Sequence, residues 1–391
     1  MKKILMALCL FAAISCAPKE ETMKQLSDRV FALAKTQAVL LDSQLTDTTV
    51  ARTLTAPDGE LVTSPITWWC SGFFPGTLWQ IYEYSGDKEA EALARKNTLK
   101  LSKLLEKHTD HDIGFQLMCS YGNAYRLTKE EQWVPTLLAG AERLAGRFNP
   151  VTGVTRSWDP SPWSARWAYP VIIDNMMNLE LLTTAARFPG GNPQWVKIAE
   201  THAQTTMKNH FREDYSTWHV LDYDPETGEV RKKQTGQGLA DDSMWARGEA
   251  WALYGYAMMA LQTKNPVYRV QAEHIADLLV ERLPEDSVPY WDFDAPGEYR
   301  DASAAAIMAG GFLKLYSMDN RKVYLETAVK QLRALASPEY LAEAGTNGGF
   351  LIKHCVGNKP GNSEIDVPLS YADYYFLEAL NLYRGIAGPM K

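Results

Sequence analysis

Two short segments each place one aspartate directly before an apolar stretch with helical periodicity. HDIGF at 111–115 contains Asp112, and YPVIIDNMMNL at 169–179 contains Asp174. Two neighbouring carboxyl groups, one of them protonated, suit general acid–base catalysis. Ordinary helix caps explain the same positions, because an aspartate before a helix accepts hydrogen bonds from the first-turn amides. The segments therefore predict either a catalytic pair or two caps.

Aromatic residues are the second group with chemical meaning. The chain has 12 tryptophans. Those in predicted loops include Trp68, Trp69, Trp158, Trp163, Trp167 and Trp291. Sugar rings stack their C–H faces on indole, while their hydroxyl groups bind carboxylate, amide and guanidinium groups. The segment 237–251 contains such polar partners together with two further tryptophans, namely Gln237, Asp241, Asp242, Trp245, Arg247 and Trp251.

The spacing in this segment refines the prediction. On a continuous helix Asp241 and Trp245 share one face, and Arg247 and Trp251 share another. A guanidinium matches a planar carboxylate in bidentate geometry. Arg247 therefore indicates an acidic sugar.

Helix-period apolar segments recur along the whole chain and indicate one all-α domain. They span 24–44, 73–85, 88–107, 113–128, 130–147, 173–187, 194–211, 243–263, 266–283, 302–317, 320–337 and 369–385. Residues 219–233 predict a small β-hairpin that turns at 224–228. Six helical hairpins closing into an (α/α)6 barrel are the predicted architecture. An open helical solenoid is the alternative, although no sequence repeat of fixed period supports it.

The more apolar, small-residue-rich helices are expected to form the inner ring. They are 73–84, 113–125, 175–185, 244–259 and 302–315. The loops before them contain Trp68 and Trp69, His111 and Asp112, Ile173 and Asp174, Asp241 and Asp242, and Arg300 and Asp301. Polar residues therefore gather at one end of the ring. Helix dipoles there favour ionised carboxylates, whereas burial favours neutral ones.

The N-terminus has the pattern of an export signal. Residues 1–16 contain two lysines, an apolar stretch and small residues before Cys16, which resembles a bacterial lipoprotein signal. We predict lipidation of Cys16, a linker at 17–22 and one catalytic domain at 23–391. A plain signal peptide cut nearby is the alternative. The predicted product is a periplasmic or cell-surface lipoprotein of a Gram-negative bacterium that contacts the membrane only through its lipid.

Composition excludes several classes of partner. A net charge of −7 argues against nucleic-acid binding. The 46% apolar content indicates a globular core. Cys70, Cys119 and Cys355 lack metal-type spacing, and we expect buried thiols with at most one disulfide. The histidines form no HxH or HExxH pattern, so no metal or cofactor is predicted. The oligomeric state is not predicted.

Several long segments together resemble glycoside hydrolase family 88, the unsaturated glucuronyl hydrolases. They are TWWCSGFFPGTLWQIYEYSGD at 67–87, HDIGFQLMCSYGNAYRLT at 111–128, YPVIIDNMMNLELL at 169–182, HVLDYDPETGEV at 219–230, QGLADDSMWARGEAWALYGYAMM at 237–259, PYWDFDAP at 289–296, RDASAAAI at 300–307 and LSYADYYFLEAL at 369–380. The resemblance implies an (α/α)6 barrel that hydrolyses oligosaccharides ending in a 4,5-unsaturated uronic acid, the products of polysaccharide lyases.

The resemblance also implies roles for individual residues. Asp174 matches the general acid and base, and Asp112 matches a second essential aspartate. Residues expected to line the sugar pocket are His111, Trp69, Trp158, His219, Gln237, Arg247, Trp251 and Tyr371. The alternatives are the sister family that acts on unsaturated galacturonyl groups of rhamnogalacturonan and a non-catalytic glycan-binding lipoprotein.

Overall fold

The structure, a computed structural model, describes residues 20–107 and 110–387. The predicted signal segment and Cys16 lie outside the described residues. No helix within the described ranges is long and apolar enough to cross a membrane. The free thiols of Cys70, Cys119 and Cys355 are buried.

Thirteen α-helices are found in the described residues. They are α1 (Met23–Ser43), α2 (Phe73–Ser85), α3 (Lys88–Lys100), α4 (Ile113–Leu117), α5 (Asn123–Thr128), α6 (Val134–Ala145), α7 (Asn175–Ala185), α8 (Gln194–Asn209), α9 (Ala246–Thr263), α10 (Pro266–Arg282), α11 (Ala302–Asp319), α12 (Lys322–Leu335) and α13 (Ser370–Ala387). The strands are short. They are β1 (Thr49–Leu54), β2 (Leu61–Pro65), β3 (Phe148–Asn149), β4 (Val154–Thr155), β5 (Pro170–Ile172), β6 (Val220–Tyr223), β7 (Val230–Gln234), β8 (Cys355–Asn358) and β9 (Ser363–Val367).

The helices form two concentric rings, which confirms the predicted (α/α)6 barrel. The inner ring consists of α2, the α4–α5 segment, α7, α9, α11 and α13, and each inner helix follows an outer one along the chain. Helix α11 packs against both α9 and α13, and α13 packs against α2, which closes the ring. Small residues allow this close approach. A Cβ added at Gly311 would lie 2.8 Å from Leu253 Cγ on α9.

Two details of the inner ring differ from the predictions. The helix expected over 113–128 is interrupted by a π-helical turn at Met118–Gly122 between α4 and α5. Helix α9 begins at Ala246 rather than 243, because Trp245 has an extended backbone and pairs with Asp292 in an antiparallel bridge. The sixth inner helix is α13, in which every residue from 370 to 377 is buried.

Strands and hairpins cover the end of the barrel where the inner helices begin. Strand β6 pairs with both β5 and β7, which confirms the hairpin predicted over 219–233. Strand β5 leads directly into α7 and places Asp174 at its first turn. The hairpin of β8 and β9 lies over the start of α11. Beneath these strands, aromatic rings fill the barrel axis; Trp251, for example, lies 5.0 Å from Phe115 and 5.4 Å from Tyr375 between ring centroids.

Candidate active site

A cavity of about 180 Å³ opens at this end of the barrel. Its wall consists of Arg52, Trp68, Trp69, Asp112, Trp158, Trp163, Ile172, Asp174, Gln237, Arg247, Gly357, Asn358, Ser363, Glu364 and Tyr371. Both predicted catalytic aspartates therefore face one space, with indole rings around it. The cavity is large enough for one sugar ring, and the rest of an oligosaccharide would extend outwards.

Neither aspartate acts as a helix cap. Asp112 and Asp174 occupy the residues before α4 and α7, yet neither side chain accepts a hydrogen bond from the following turn. Their residues are only 8% and 9% exposed. Asp87, by contrast, accepts from the backbone N–H groups of Glu89 and Ala90 at the start of α3. The capping interpretation is therefore wrong for both candidate residues, and their carboxyl groups remain available for chemistry.

A buried histidine faces Asp174. The His219 Nδ1 atom accepts hydrogen bonds from the backbone N–H groups of Gly236, at 3.0 Å, and Gln237, at 3.2 Å. An imidazole nitrogen that accepts carries no proton, so the neutral ring bears its proton on Nε2. Nε2 lies 3.8 Å from Asp174 Oδ2, and neither atom has a hydrogen-bond partner within the described ranges. The histidine therefore points an N–H group at the carboxyl group.

A second buried histidine faces Asp112 in the same way. Asn178 Oδ1 accepts from the backbone N–H of Phe115 at 2.8 Å, so its amide nitrogen is the atom that donates to His111 Nδ1, at 3.2 Å. This again places the imidazole proton on Nε2. His111 Nε2 lies 3.5 Å from Asp112 Oδ1. Each candidate aspartate is thus matched with the Nε2–H group of a histidine.

Burial determines the protonation of these groups. It raises the pKa of Asp174 to about 7, while Arg247 and Trp251 act in the opposite direction. Burial, followed by the charges of Asp110 and Asp174, holds the pKa of Asp112 well above its usual range. Burial also lowers the pKa of both facing histidines, that of His111 to about 3. At neutral pH the site therefore holds neutral imidazoles and a carboxyl group able to give and take a proton.

Arg247 is a fixed cation in the cavity wall. Its Nη1 donates to the carbonyl oxygen of Val356 at 2.5 Å, and its Nη2 donates to that of Gly357 at 2.6 Å. Nη1 also lies 3.4 Å from Asp301 Oδ2. In the described chain these contacts leave Nε–H and one Nη2–H, on one edge of the guanidinium, for a ligand. That edge has the geometry that a planar carboxylate requires.

The other predicted sugar-pocket residues fall into two layers. Trp69, Trp158, Gln237, Arg247 and Tyr371 line the cavity itself. The second layer supports the wall from behind: His111 and His219 stand behind the aspartates, and Trp251 is buried beneath Phe115. Their roles in binding remain predictions.

The prediction for the segment before α9 is wrong in part. Asp241 and Asp242 are exposed, and Asp241 accepts from the backbone N–H of Thr235 at 2.9 Å instead of lining the cavity. Since α9 begins after Trp245, Asp241 and Trp245 share no helix face. Trp291 is also a core residue, packed in a separate cluster with Trp245. Loop position alone did not distinguish a cavity tryptophan from a buried one.

Several residues of the site were missed from sequence. Asn178 was not predicted as a site residue, although its place one helical turn after Asp174 indicates that it faces the same end. Arg52 and Glu364 form an ion pair at the cavity mouth, with Nε and Oε1 2.6 Å apart, and Arg52 stacks on Trp68. They belong to hairpins that carry no chemical pattern. Among residues 20–107 and 110–387 no cluster of three His, Cys, Asp or Glu could hold a metal ion.

Comparisons with known proteins agree with this geometry. The profile of Glycosyl Hydrolase Family 88 matches residues 43–384. The unsaturated glucuronyl hydrolase of Formosa agariphila is 45% identical over 318 residues, covering 80% of this chain and 79% of that protein. The unsaturated glucuronyl hydrolase of Bacillus sp. strain GL1 is 33% identical over 332 residues, covering 82% and 87%.

A solved structure is similar over nearly the whole chain. The crystal structure of an unsaturated glucuronyl hydrolase specific for heparin matches with a TM-score of 0.89 and 45% identity, covering 93% of this chain and 98% of that one. Sequence, fold and paired aspartates thus lead to one assignment. The chain is a glycoside hydrolase and belongs to family 88.

Proposed function

We propose that the enzyme removes a 4,5-unsaturated glucuronic acid from the non-reducing end of lyase-generated oligosaccharides. The observation that carries the proposal is the buried Asp174 carboxyl group, whose pKa of about 7 allows it to act as acid and then as base near neutral pH. The free edge of Arg247 suits the uronate carboxylate. The indole rings of Trp69 and Trp158 offer stacking surfaces for the sugar.

The reaction is hydration of a vinyl ether. The C4=C5 electron pair takes the proton of Asp174 at C4, and the resulting positive charge at C5 is shared with the ring oxygen. Water then attacks C5 and gives a proton back to the Asp174 carboxylate. The C5 hemiketal opens to a ketone and leaves a hemiacetal at C1, which expels the remaining saccharide as an alcohol. No atom of the enzyme becomes covalently attached to the sugar.

Asp112 has a distinct role in this proposal. Burial holds the pKa of Asp112 well above the usual range and so favours its protonated form, which can donate a hydrogen bond to a sugar hydroxyl group. A protonated Asp112 also carries no negative charge, so it does not repel the carboxylate that Asp174 becomes after releasing its proton. Asp112 therefore positions the ring and permits the second half of the proton transfer.

The activity is tested by following the ultraviolet absorbance of the conjugated double bond. We expect the absorbance to disappear when the purified enzyme meets unsaturated disaccharides from glycosaminoglycan lyases. Heparin-type disaccharides come first in the panel, because a solved relative at 45% identity is specific for heparin. Sulfated and unsulfated chondroitin, hyaluronan and rhamnogalacturonan products complete it. An unchanged absorbance with every member would contradict the proposal.

Export is a further part of the proposal. The pattern of residues 1–16 supports cleavage before Cys16 and attachment of lipid to that cysteine. Metabolic labelling with a radioactive or clickable fatty acid should label the wild-type chain and leave Cys16→Ser unlabelled. Equal labelling of both chains would refute lipidation at this residue.

A further inference from the structure

A second cavity, larger than the catalytic one, lies at the opposite end of the barrel and takes no part in the reaction. Its volume is about 630 Å³, within the usual range for small-molecule sites. It opens where the inner helices end, and the π-helical turn Met118–Gly122 forms part of its wall. The aromatic layer of Phe115, Trp251 and Tyr375 separates it from the catalytic cavity. It is therefore a separate space.

The cavity is lined by charges of both signs. Its cations are Arg126, Lys129, Arg187 and Lys314, and its carboxylates are Glu83, Glu180 and Glu378. Glu83 forms an ion pair with Arg126. Glu180 and Glu378, which lie in the middle of α7 and α13, form no salt bridge within the described residues.

The two carboxylates have unequal partners. Glu378 accepts hydrogen bonds from the hydroxyl groups of Tyr254, at 2.8 Å, and Tyr374, at 3.4 Å. Burial raises the pKa of the Glu180 carboxyl group, while the charge of Lys314 and a hydrogen bond from Gln262 act in the opposite direction. Within the described residues no cation forms a salt bridge with Glu180. Glu180 is partly exposed, and the space it faces is the cavity. A positively charged ligand group would supply the missing partner.

A pair of amides in the wall also lacks partners. Asn381 Nδ2 donates to the backbone oxygen of Gln80 at 3.0 Å and to its Oε1 at 2.9 Å, which fixes the orientation of both amides. Gln80 Nε2 and Asn381 Oδ1 then have no hydrogen-bond partner in the described chain. Gln80 and Asn381 are 1% and 8% exposed, so the unpaired atoms carry a free-energy cost. A donor beside an acceptor matches hydroxyl groups, each of which both donates and accepts.

We propose that this cavity binds a small polyhydroxylated ammonium compound of the amino-sugar class. The ammonium group pairs with Glu180 and Glu378, and the hydroxyl groups bond to the amides of Gln80 and Asn381. The rings of Tyr125 and Phe188, which pack edge to face at 4.8 Å, give the ligand an apolar surface. The proposal stands independently of the catalytic reaction, because no residue of the catalytic cavity takes part.

The test uses two matched probes, D-glucosamine and N-acetyl-D-glucosamine, in calorimetric and ligand-observed NMR titrations at pH 7. Both have the same ring, but only glucosamine carries an ammonium group. We expect glucosamine to bind at least about tenfold more tightly, since a charge-assisted hydrogen bond contributes enough for that ratio. Glu180→Gln, which removes the charge and keeps the shape, should abolish this preference.

Two substitutions at Gly385 locate the binding. Gly385 lines the cavity, and a Cβ added there meets no atom within 4 Å. Gly385→Trp should fill the space and remove glucosamine binding, whereas Gly385→Ala should retain it; both should leave the hydrolysis rate unchanged. Absence of saturable glucosamine binding, equal affinity for the two sugars, or binding that survives Gly385→Trp would each overturn the proposal.

Discussion

The two aspartate–histidine pairs of the catalytic cavity have the same geometry but different electrostatic surroundings. In each pair an aspartate begins a helix without capping it and faces the Nε2–H group of a buried histidine. Asp174 has the cation of Arg247 nearby, whereas Asp112 has the second carboxyl group of Asp110. Burial raises the pKa of both aspartates. The charge of Arg247 then lowers the pKa of Asp174, whereas the charge of Asp110 raises that of Asp112 further.

The two histidines are also held by different means. His219 Nδ1 accepts from the backbone of Gly236 and Gln237, which no side-chain substitution removes. His111 Nδ1 accepts from the side chain of Asn178. The tautomer of His219 is therefore set by backbone groups, while that of His111 depends on one side-chain amide that can be substituted.

Removing the acid should produce the largest difference between the pairs. Asp174→Asn has no proton to give, and we expect kcat to fall by about 10³-fold or more. Asp112→Asn should also lose activity, at least about 100-fold, but its residual rate should keep a pH profile. That profile should keep its position, because burial, not Asp112, raises the pKa of Asp174. Steady-state kinetics from pH 5 to 9 provide the measurement; a near wild-type rate for Asp174→Asn would disprove its role.

Substitution of Arg247 should change both KM and the pH dependence of kcat. Arg247→Ala should raise KM by about 10- to 100-fold, the value of a lost charge-assisted pair. It should also move the alkaline limb of kcat to higher pH, since Arg247 lowers the pKa of Asp174. Arg247→Lys is the matched control, because it keeps the charge but loses the planar fork. It should raise KM with a smaller shift of the limb. A change in thermal stability alone would make Arg247 merely structural.

The side chain of Asn178 allows the tautomer of His111 to be changed while that of His219 stays the same. In Asn178→Asp the new carboxylate accepts at His111 Nδ1 instead of donating, so the imidazole proton moves to Nδ1 or the ring becomes cationic. We expect kcat to fall about tenfold, and the ¹⁵N NMR shifts of His111 to report the new state. Gln237→Ala, which keeps the backbone N–H that holds His219, should leave the His219 shifts unchanged. Unaltered His111 shifts in Asn178→Asp would show that the amide does not set the tautomer.

The barrel was predictable because each inner helix carries its own pattern. Helix α11 is rich in alanine and glycine and is buried on all faces, and the loop before it holds Asp301. The small residues indicate a helix of the inner ring, and the aspartate before them indicates the end of the barrel that holds the site. The π-helical turn at Met118–Gly122 was not predictable, since it inserts one residue per turn without changing the apolar pattern of 113–128.

The site was less predictable than the fold for a physical reason. The sequence positions of Asp112 and Asp174 suited either capping or catalysis. Only the folded structure shows that their side chains accept no hydrogen bond from the helix amides. The His111 tautomer depends on a distant amide, and the His219 tautomer depends on the loop that follows β7, contacts that link residues far apart in sequence. The prediction for Asp241 was wrong because it assumed a helix that includes residues before the true start of α9.

The stability of the enzyme should also depend on the proton of Asp174. Because the pKa of Asp174 rises from 3.8 to about 7 on folding, the native state binds its proton more tightly than the unfolded state. Below pH 4 both states are protonated and there is no penalty. The penalty grows between pH 4 and 7 and reaches roughly 4 kcal/mol above that, at about 1.4 kcal/mol per pKa unit.

Asparagine has no proton to lose, so Asp174→Asn should be more stable than wild type at pH 8 and about equally stable at pH 4. Asp112→Asn should change in the same direction, because its pKa is also raised. Asp87→Asn, at a true helix cap whose pKa is lowered chiefly by Lys35, should show the opposite sign. Denaturant unfolding at both pH values measures these differences. If Asp174→Asn lost stability at pH 8, Asp174 would be a stabilising anion rather than a buried acid, and the contrast with Asp87 would fail.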